Sequence, residues 1–230
     1  VIMATKNGQV KKTSLEQYSR PRTNGINAIT IKDGDELLEA KLTTGDSQVM
    51  LAVKSGKAIR FEEEKTRSMG RNASGVRGIR LNNNNDEVIG MITINESESD
   101  VLVVSENGYG KRSSLEDYRI TNRGGKGVKT ISVTEKTGSL VAIKNVTDSD
   151  DLMIINKSGI AIRLEVDNLR VMGRATQGVR LIKVRDGDAI AAVAKVMSDD
   201  DDIEIDEDGN VIVPENNANE NDSDITKEEE

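Results

Sequence analysis

The chain has no cysteine, no histidine and no tryptophan, and its 230 residues include one phenylalanine and three tyrosines. Without cysteine there is no disulfide framework, no thiolate metal site and no cysteine nucleophile. Without histidine the commonest general base and metal ligand is missing. So few rings leave little with which to stack unpaired bases or to build aromatic hot spots for a protein partner. No apolar run approaches the ~18 residues of a membrane span, and no signal peptide is visible at Val1. The expected setting is cytoplasmic, with no membrane partner. The chain opens inside a strand-like run, Val1-Ile2-Met3-Ala4, without an initiating Met, as a fragment of a longer protein would.

Positive charge is scarce only on average. The formal net charge is −8, from 32 basic and 40 acidic residues. Fifteen of the acidic residues and one of the basic ones fall in 198–230, which leaves 31 basic against 25 acidic residues in 1–197. A basic body with an acidic appendage suggests nucleic-acid binding by the body. The appendage, rich in Asp, Glu and Asn, buries too little apolar surface to offset the entropy of ordering, so 198–230 is expected to be a disordered tail. Its Asp199–Asp202 run reads as solvated charge rather than a metal site.

What the body has is a repeat. VIMATKNG ends at Gly8, VMLAVKSG at Gly56, VLVVSENG at Gly108 and LMIINKSG at Gly159, with spacings of 48, 52 and 51 residues. Each is an apolar run closed by Asn-Gly or Ser-Gly, a hairpin signal, and each is followed by a second strand-like run: VKKT, AIRF, GKRS, AIRL. The second half of each unit repeats as well. An Arg-rich loop with Gly (RTNGI, RNASGV, RGGKGV, RATQGV) precedes apolar runs read as strands (AITI, GIRL, TISV, LIKV), and a last run such as VIGMITI or LVAIKNV follows. Four short strands per unit of about fifty residues predict an all-β, propeller-like array of four-stranded blades. A β-sandwich is the alternative, but it does not require such self-similarity. The expected division is 1–197, in repeats of about 1–48, 49–100, 101–151 and 152–197, followed by the tail 198–230.

The cations recur where no core needs them. After each hairpin stands Lys12, Arg60, Arg112 or Arg163, with Lys11 and Lys111 beside two of them. The Gly loops open with Arg22, Arg71, Arg123 and Arg174. Arg67, Arg119 and Arg170 lie four residues earlier, and Arg77, Lys129 and Arg180 follow the loop Gly-Val. With Lys126 these form a candidate belt for duplex DNA, gripping the backbone through counterion release and preferring DNA that bends easily. For any single loop Arg, a pair with a carboxylate such as Glu62 or Glu165, or a contact to a loop carbonyl, is the competing reading. Charge reversal of Arg60, Arg112 and Arg163 together is expected to abolish DNA retention. The competing functional classes are a scaffold for protein partners, which the aromatic shortage disfavours, and an enzyme, which has no convincing catalytic residues here.

Across 1–197, the stretches VKKTSLEQY (Val10–Tyr18), GVRGIRL (Gly75–Leu81), NGYGKRSSLEDY (Asn107–Tyr118) and VMGRATQGV (Val171–Val179) resemble the family of C-terminal domains of the DNA gyrase A subunit. The resemblance implies a β-pinwheel, a propeller relative with exchanged strands. It further implies non-sequence-specific wrapping of duplex DNA in support of ATP-dependent negative supercoiling by a type II topoisomerase. The implied partners are DNA, the remainder of the gyrase A subunit, and the gyrase B subunit in an A2B2 holoenzyme. The implied cofactors, ATP and Mg²⁺, are used elsewhere in that holoenzyme, and no catalytic residue or cofactor is expected in this chain. Family members have about six blades with a QRRGGKG box on the first. The four repeats align with the last four, and Thr121–Gly127 (TNRGGKG) matches only the RGGKG half.

A tethered polyanion competes with DNA for a basic surface by local mass action. Removing 198–230 is therefore expected to tighten duplex binding at fixed low salt; equal affinity with and without the tail rules the competition out.

Overall fold

A computed structural model describes residues 1–95, 99–197, 204–205 and 211–212. The first repeat contributes β1 (Ile2–Thr5), β2 (Gln9–Lys12) and β3 (Leu37–Lys41). The second contributes β4 (Gln48–Val53), β5 (Lys57–Glu62), the two-residue β6 (Val76–Arg77) and β7 (Val88–Ile94). The third has β8 (Asp100–Ser105), β9 (Tyr109–Ser114), β10 (Val128–Lys129) and β11 (Leu140–Val146). The fourth has β12 (Asp150–Asn156), β13 (Ala161–Glu165), β14 (Val179–Arg180) and β15 (Ile190–Met197). In the stretch expected to be a disordered tail, β16 (Glu204–Ile205) and β17 (Val211–Ile212) pair antiparallel. The rest of that expectation, with the Asp199–Asp202 run, lies outside the described residues. Residues 1–197 and 198–230 form separate units.

Three sheets of the first unit are completed by exchange between repeats. The strand orders are β3-β1-β2-β6, β10-β5-β4-β7, β11-β8-β9-β14 and β13-β12-β15. The fourth strand of each of the first three blades is thus the short strand of the next repeat. The fourth blade has three strands, and among the described residues nothing pairs with the outer side of β13. The expected strands GIRL, TISV and LIKV are corrected accordingly. The pairing residues lie just upstream, in Val76–Arg77, Val128–Lys129 and Val179–Arg180, while Ile79 and Ile131 are buried as packing residues. In the first repeat AITI is likewise no strand.

The exchange is held the same way three times. The chain first runs parallel to the acceptor strand, in single bridges Lys12–Ser68, Arg60–Ile120 and Arg112–Val171. It then turns at a glycine and pairs antiparallel. Finally the amides of Gly78, Thr130 and Leu181 donate to the carbonyls of the hairpin glycines Gly8, Gly56 and Gly108 at 2.8, 2.9 and 2.9 Å. The turn demands glycine for two reasons. Gly127 has φ +71°, and a Cβ there would stand 2.5 Å from the Ala58 carbonyl oxygen; Gly75 (φ +89°) meets the Val10 carbonyl in the same way.

The central strands of the first three blades are buried on both faces, which is why they read as unbroken apolar runs instead of alternating ones. Val49, Leu51 and Val53 of β4 pack with Ile2, Ala4 and Val10 of blade 1, while Met50 and Ala52 pack with Val101 and Val103 of blade 3. Leu102 and Val104 turn the other way, to Leu152 and Ile154 of blade 4. The core is therefore three apolar layers between consecutive blades, each buried aliphatic side chain contributing about 1.5–3 kcal/mol. The last strands of the repeats, β3, β7, β11 and β15, pack successively against one another.

Gly127→Ala is expected to cost at least about 2 kcal/mol in chemical denaturation, through backbone strain and the clash with Ala58. Gly70→Ala, outside the left-handed region and with open space around its Cα, should change little; equal effects would refute this account of the turn.

Candidate nucleic-acid interface

The recurrent cations divide by geometry into three sets. The first is the column after the hairpin. Arg60 donates from Nε to Gln48 Oε1 at 2.7 Å and from Nη1 to the Leu115 and Tyr118 carbonyls at 2.7 and 3.0 Å. Arg112 donates to Asp148 Oδ1 at 2.5 Å and to the Val166 carbonyl at 3.3 Å, its Nε standing 3.3 Å from Asp100 Oδ2. Lys12 reaches the Glu63 carbonyl at 3.4 Å and its carboxylate at 3.5 Å. In each case the cation of one blade is bonded to the short turn that follows the second strand of the next. These side chains rivet neighbouring blades, and burial pushes the pKa of Arg60 down. In the last blade the partner of Arg163 among the described residues is Asp151, at 2.5 Å, and its side chain is half exposed.

Lys11 and Lys111 stand beside this column. They are 0% and 1% exposed. Lys11 Nζ donates to the carbonyls of Ala28 and Arg71, and Lys111 Nζ to the Gly173 carbonyl at 2.6 Å. They fasten exchange loops from inside, at the position where blade 2 has buried Ile59. Of the cations expected to face DNA, Lys11 and Lys111 are thus buried, and Lys12, Arg60 and Arg112 are engaged by protein acceptors of the next blade. Charge reversal at Arg60 and Arg112 would uncouple blades before it tested any ligand.

The loop arginines take the carbonyl contact that competed with DNA binding. Arg71 donates to the Asn27 carbonyl at 3.0 Å, Arg123 to that of Arg77 at 3.0 Å and Arg174 to that of Lys129 at 2.8 Å. Each acceptor is the residue two after the loop glycine of the preceding repeat, so guanidinium groups tie successive loops in a ladder. A backbone rung accompanies each tie: Thr30 to Ala73, Arg80 to Gly125 and Ser132 to Thr176, at 3.3, 2.8 and 3.0 Å.

The third set points outward. Arg22, Arg67, Arg77, Arg119, Lys126, Lys129, Arg170 and Arg180 are exposed. Among the described residues none of them has an ion-pair partner. Arg77, Lys129 and Arg180 occupy the exchanged outer strands of three consecutive blades, one each. Arg119 and Lys126 line a cavity of about 230 Å³ beside the Gly125–Gly127 backbone, with Arg60 at its wall. Arg77 and the RGGKG loop are joined, since Arg123 Nη1 donates to the Arg77 carbonyl at 3.0 Å and the Gly124 amide to the carbonyl of the neighbouring Gly78 at 2.5 Å.

Sequence reasoning missed Lys136, Lys183 and Arg185. They converge with Arg180 on Tyr109 in a second cavity, and no repeat-wide recurrence marks them. Among the described residues no group of three or more His, Cys, Asp or Glu is placed to hold a metal ion. No helix there is long and apolar enough to cross a membrane. All three tyrosine hydroxyls are bonded within the fold, to the Ala28 carbonyl, Arg180 and Thr130.

The family model "DNA gyrase C-terminal domain, beta-propeller" matches four times, over 1–44, 48–95, 99–147 and 150–197. The DNA gyrase A subunit of Staphylococcus epidermidis is 46% identical over 202 residues, 87% of this chain and 22% of that one. Its counterpart in Chlamydia pneumoniae is 45% identical over 206 residues, 89% of this chain and 25% of that one. The chain thus spans about a quarter of the length of these relatives. A solved DNA gyrase A C-terminal domain superposes with a TM-score of 0.76 at 25% identity, covering 85% of this chain and 65% of that one. The C-terminal domain of DNA topoisomerase IV shares the fold, with a TM-score of 0.81 at 23% identity over 85% and 61% of the two chains.

Burial, with Arg174 nearby and Asp117 opposing, pushes the Lys111 ammonium down to about 8. The unfolded chain therefore holds more protons than the folded one between about pH 8 and the ordinary lysine value near 10.4. Over that window Lys111 penalises the fold less as pH rises. Lys111→Met is expected to flatten the rise in stability between pH 8 and 10 relative to the parent; parallel denaturation profiles would contradict it.

Proposed function

The chain belongs to the DNA gyrase C-terminal domain family, and from that membership and its outward cations we propose that it binds and bends duplex DNA along the exchanged outer strands. The observation that carries this reading is the set of eight exposed Arg and Lys without carboxylate partners, with one on each exchanged strand. Cations placed on successive blades meet successive phosphates only if the duplex follows them, so binding and bending are one event. Contacts of this kind go to the backbone, carry no base information and are driven by counterion release. Among the described residues there is no α-helix to enter a major groove. Non-specific wrapping follows, with any sequence preference arising from how easily the duplex deforms.

In this reading the chain is the wrapping module of the gyrase A subunit. It acts with the remainder of gyrase A and with gyrase B, in an A2B2 assembly in the cytoplasm. The wrap fixes the handedness of a crossing, which ATP-driven strand passage elsewhere in the type II topoisomerase turns into negative supercoils. The chain itself brings no nucleophile and no cofactor to that reaction. In this reading DNA cleavage belongs to other parts of the enzyme.

The test is the salt dependence of duplex binding by the 230-residue chain and by a variant with Arg77, Arg119, Lys126 and Lys129 changed to Glu. The parent is expected to show a steep negative slope of log K against log salt, its magnitude falling by about 0.9 for each phosphate no longer engaged. The variant should release one to several phosphates and bind at least about tenfold more weakly at low salt. Equal slopes and affinities for parent and variant would remove the outer strands from the DNA path.

A further inference from the structure

One concavity on the outer strand of blade 3 differs from its counterparts. Tyr109 opens β9 and pairs directly with Arg180 of the exchanged β14. The Arg180 guanidinium lies 5.5 Å from the centre of the Tyr109 ring and donates from Nη2 to its hydroxyl at 2.9 Å. Lys136 Nζ lies 5.2 Å from the same ring centre. The loop that carries Lys136 is fixed by Asn107, whose Nδ2 donates to the Glu135 and Lys136 carbonyls at 3.1 and 3.2 Å. Lys183 and Arg185 complete the wall of a cavity of about 430 Å³.

The charge there is not balanced within the fold. Asp186 and Asp188 also line the cavity. Asp188 is already bonded by the Ser158 hydroxyl at 2.8 Å, Asn156 Nδ2 at 2.7 Å and the Ala189 amide at 2.8 Å, and Asp186 is exposed. Among the described residues none of Lys136, Arg180, Lys183 and Arg185 has an ion-pair partner. Nor does the repeat explain the cluster. In blade 2 the position of Tyr109 is held by Lys57, which pairs with Lys129 and donates to Asn82 Oδ1 at 2.9 Å. Counting five and seven residues from the loop glycine, Lys183 and Arg185 are replaced there by Ser132 and Thr134.

We infer that this cavity is a seat for a phosphate group, with Lys136, Lys183 and Arg185 closing on the anion around an Arg180 held in place by Tyr109. A planar guanidinium fixed against a rigid ring, with mobile ammonium groups beside it, suits a tetrahedral oxyanion with several acceptors. The ring itself is 7% exposed and bordered by cations, so it positions Arg180 and offers no open face to a base. The phosphate can belong to a duplex backbone, which rests on the function proposed above, or to a free phosphate compound, which does not.

The experiment compares the 230-residue chain with Lys136→Ala/Lys183→Ala/Arg185→Ala, whose sites are exposed and outside the core, and with Tyr109→Phe. Amide chemical shifts of Asn107, Tyr109 and residues 183–188 are followed during titration with inorganic pyrophosphate, and duplex affinity is measured in parallel. The parent should saturate at these amides, the triple variant should bind pyrophosphate at least about tenfold more weakly, and Tyr109→Phe should fall between. A matching loss in duplex affinity assigns the seat to the DNA path. Unchanged duplex affinity with lost pyrophosphate binding assigns it to a free phosphate compound. No saturable shift in the parent, or equal shifts in parent and triple variant, overturns the seat. A parent that binds pyrophosphate but no duplex would refute DNA binding and leave the seat standing.

Discussion

Each of the first three blades of this protein is finished by the repeat that follows it. A two-residue strand is too short to hold a place in a sheet by its own ladder, so the exchange depends on its surroundings. It is entered through a parallel bridge, turned at a positive-φ glycine and closed by an amide on the hairpin glycine of the acceptor blade. Interblade aliphatic layers supply the bulk of the free energy, but they are non-directional. The exchanged strand supplies the register that keeps four similar units in sequence. Among the described residues β13 has no partner on its outer side.

Much of the chain's basic charge serves that same exchange. Lys12, Arg60 and Arg112 join a blade to the turn of the next, Lys11 and Lys111 hold loops from beneath, and Arg71, Arg123 and Arg174 link loop to loop. A guanidinium suits these places because carbonyls left over by irregular loops need several donors in a fixed plane. Once those are subtracted, the cations on the outer strands and at Tyr109 stand out, because they have no acid to answer to. A chain whose average is acidic through residues 198–230 can in this way still present a cationic edge.

Recurrence in the sequence marked equivalence of position, and equivalence of position is as much a property of joints as of binding surfaces. Arg60 and Arg77 both recur through the repeats, yet one is bonded to Gln48, Leu115 and Tyr118 and the other is exposed on an outer strand. The period gave no means of telling them apart. Lys183 and Arg185 are each matched by a cation in only one other repeat, Arg80 and Lys32, and so carried little signal, although they stand beside Tyr109.

The blade count, the hairpins and the apolar central strands were legible from residues alone. Asn-Gly and Ser-Gly turns, and runs buried on both faces, are local consequences of glycine φ and of hydrophobic burial. The kinship of the chain was legible too, in stretches such as NGYGKRSSLEDY. Which repeat supplies the fourth strand of a blade, and which cations remain free, was decided by tertiary structure. Both depend on contacts between residues about fifty positions apart, where a carbonyl or a carboxylate from the next blade takes the donors of a lysine or an arginine before any ligand can.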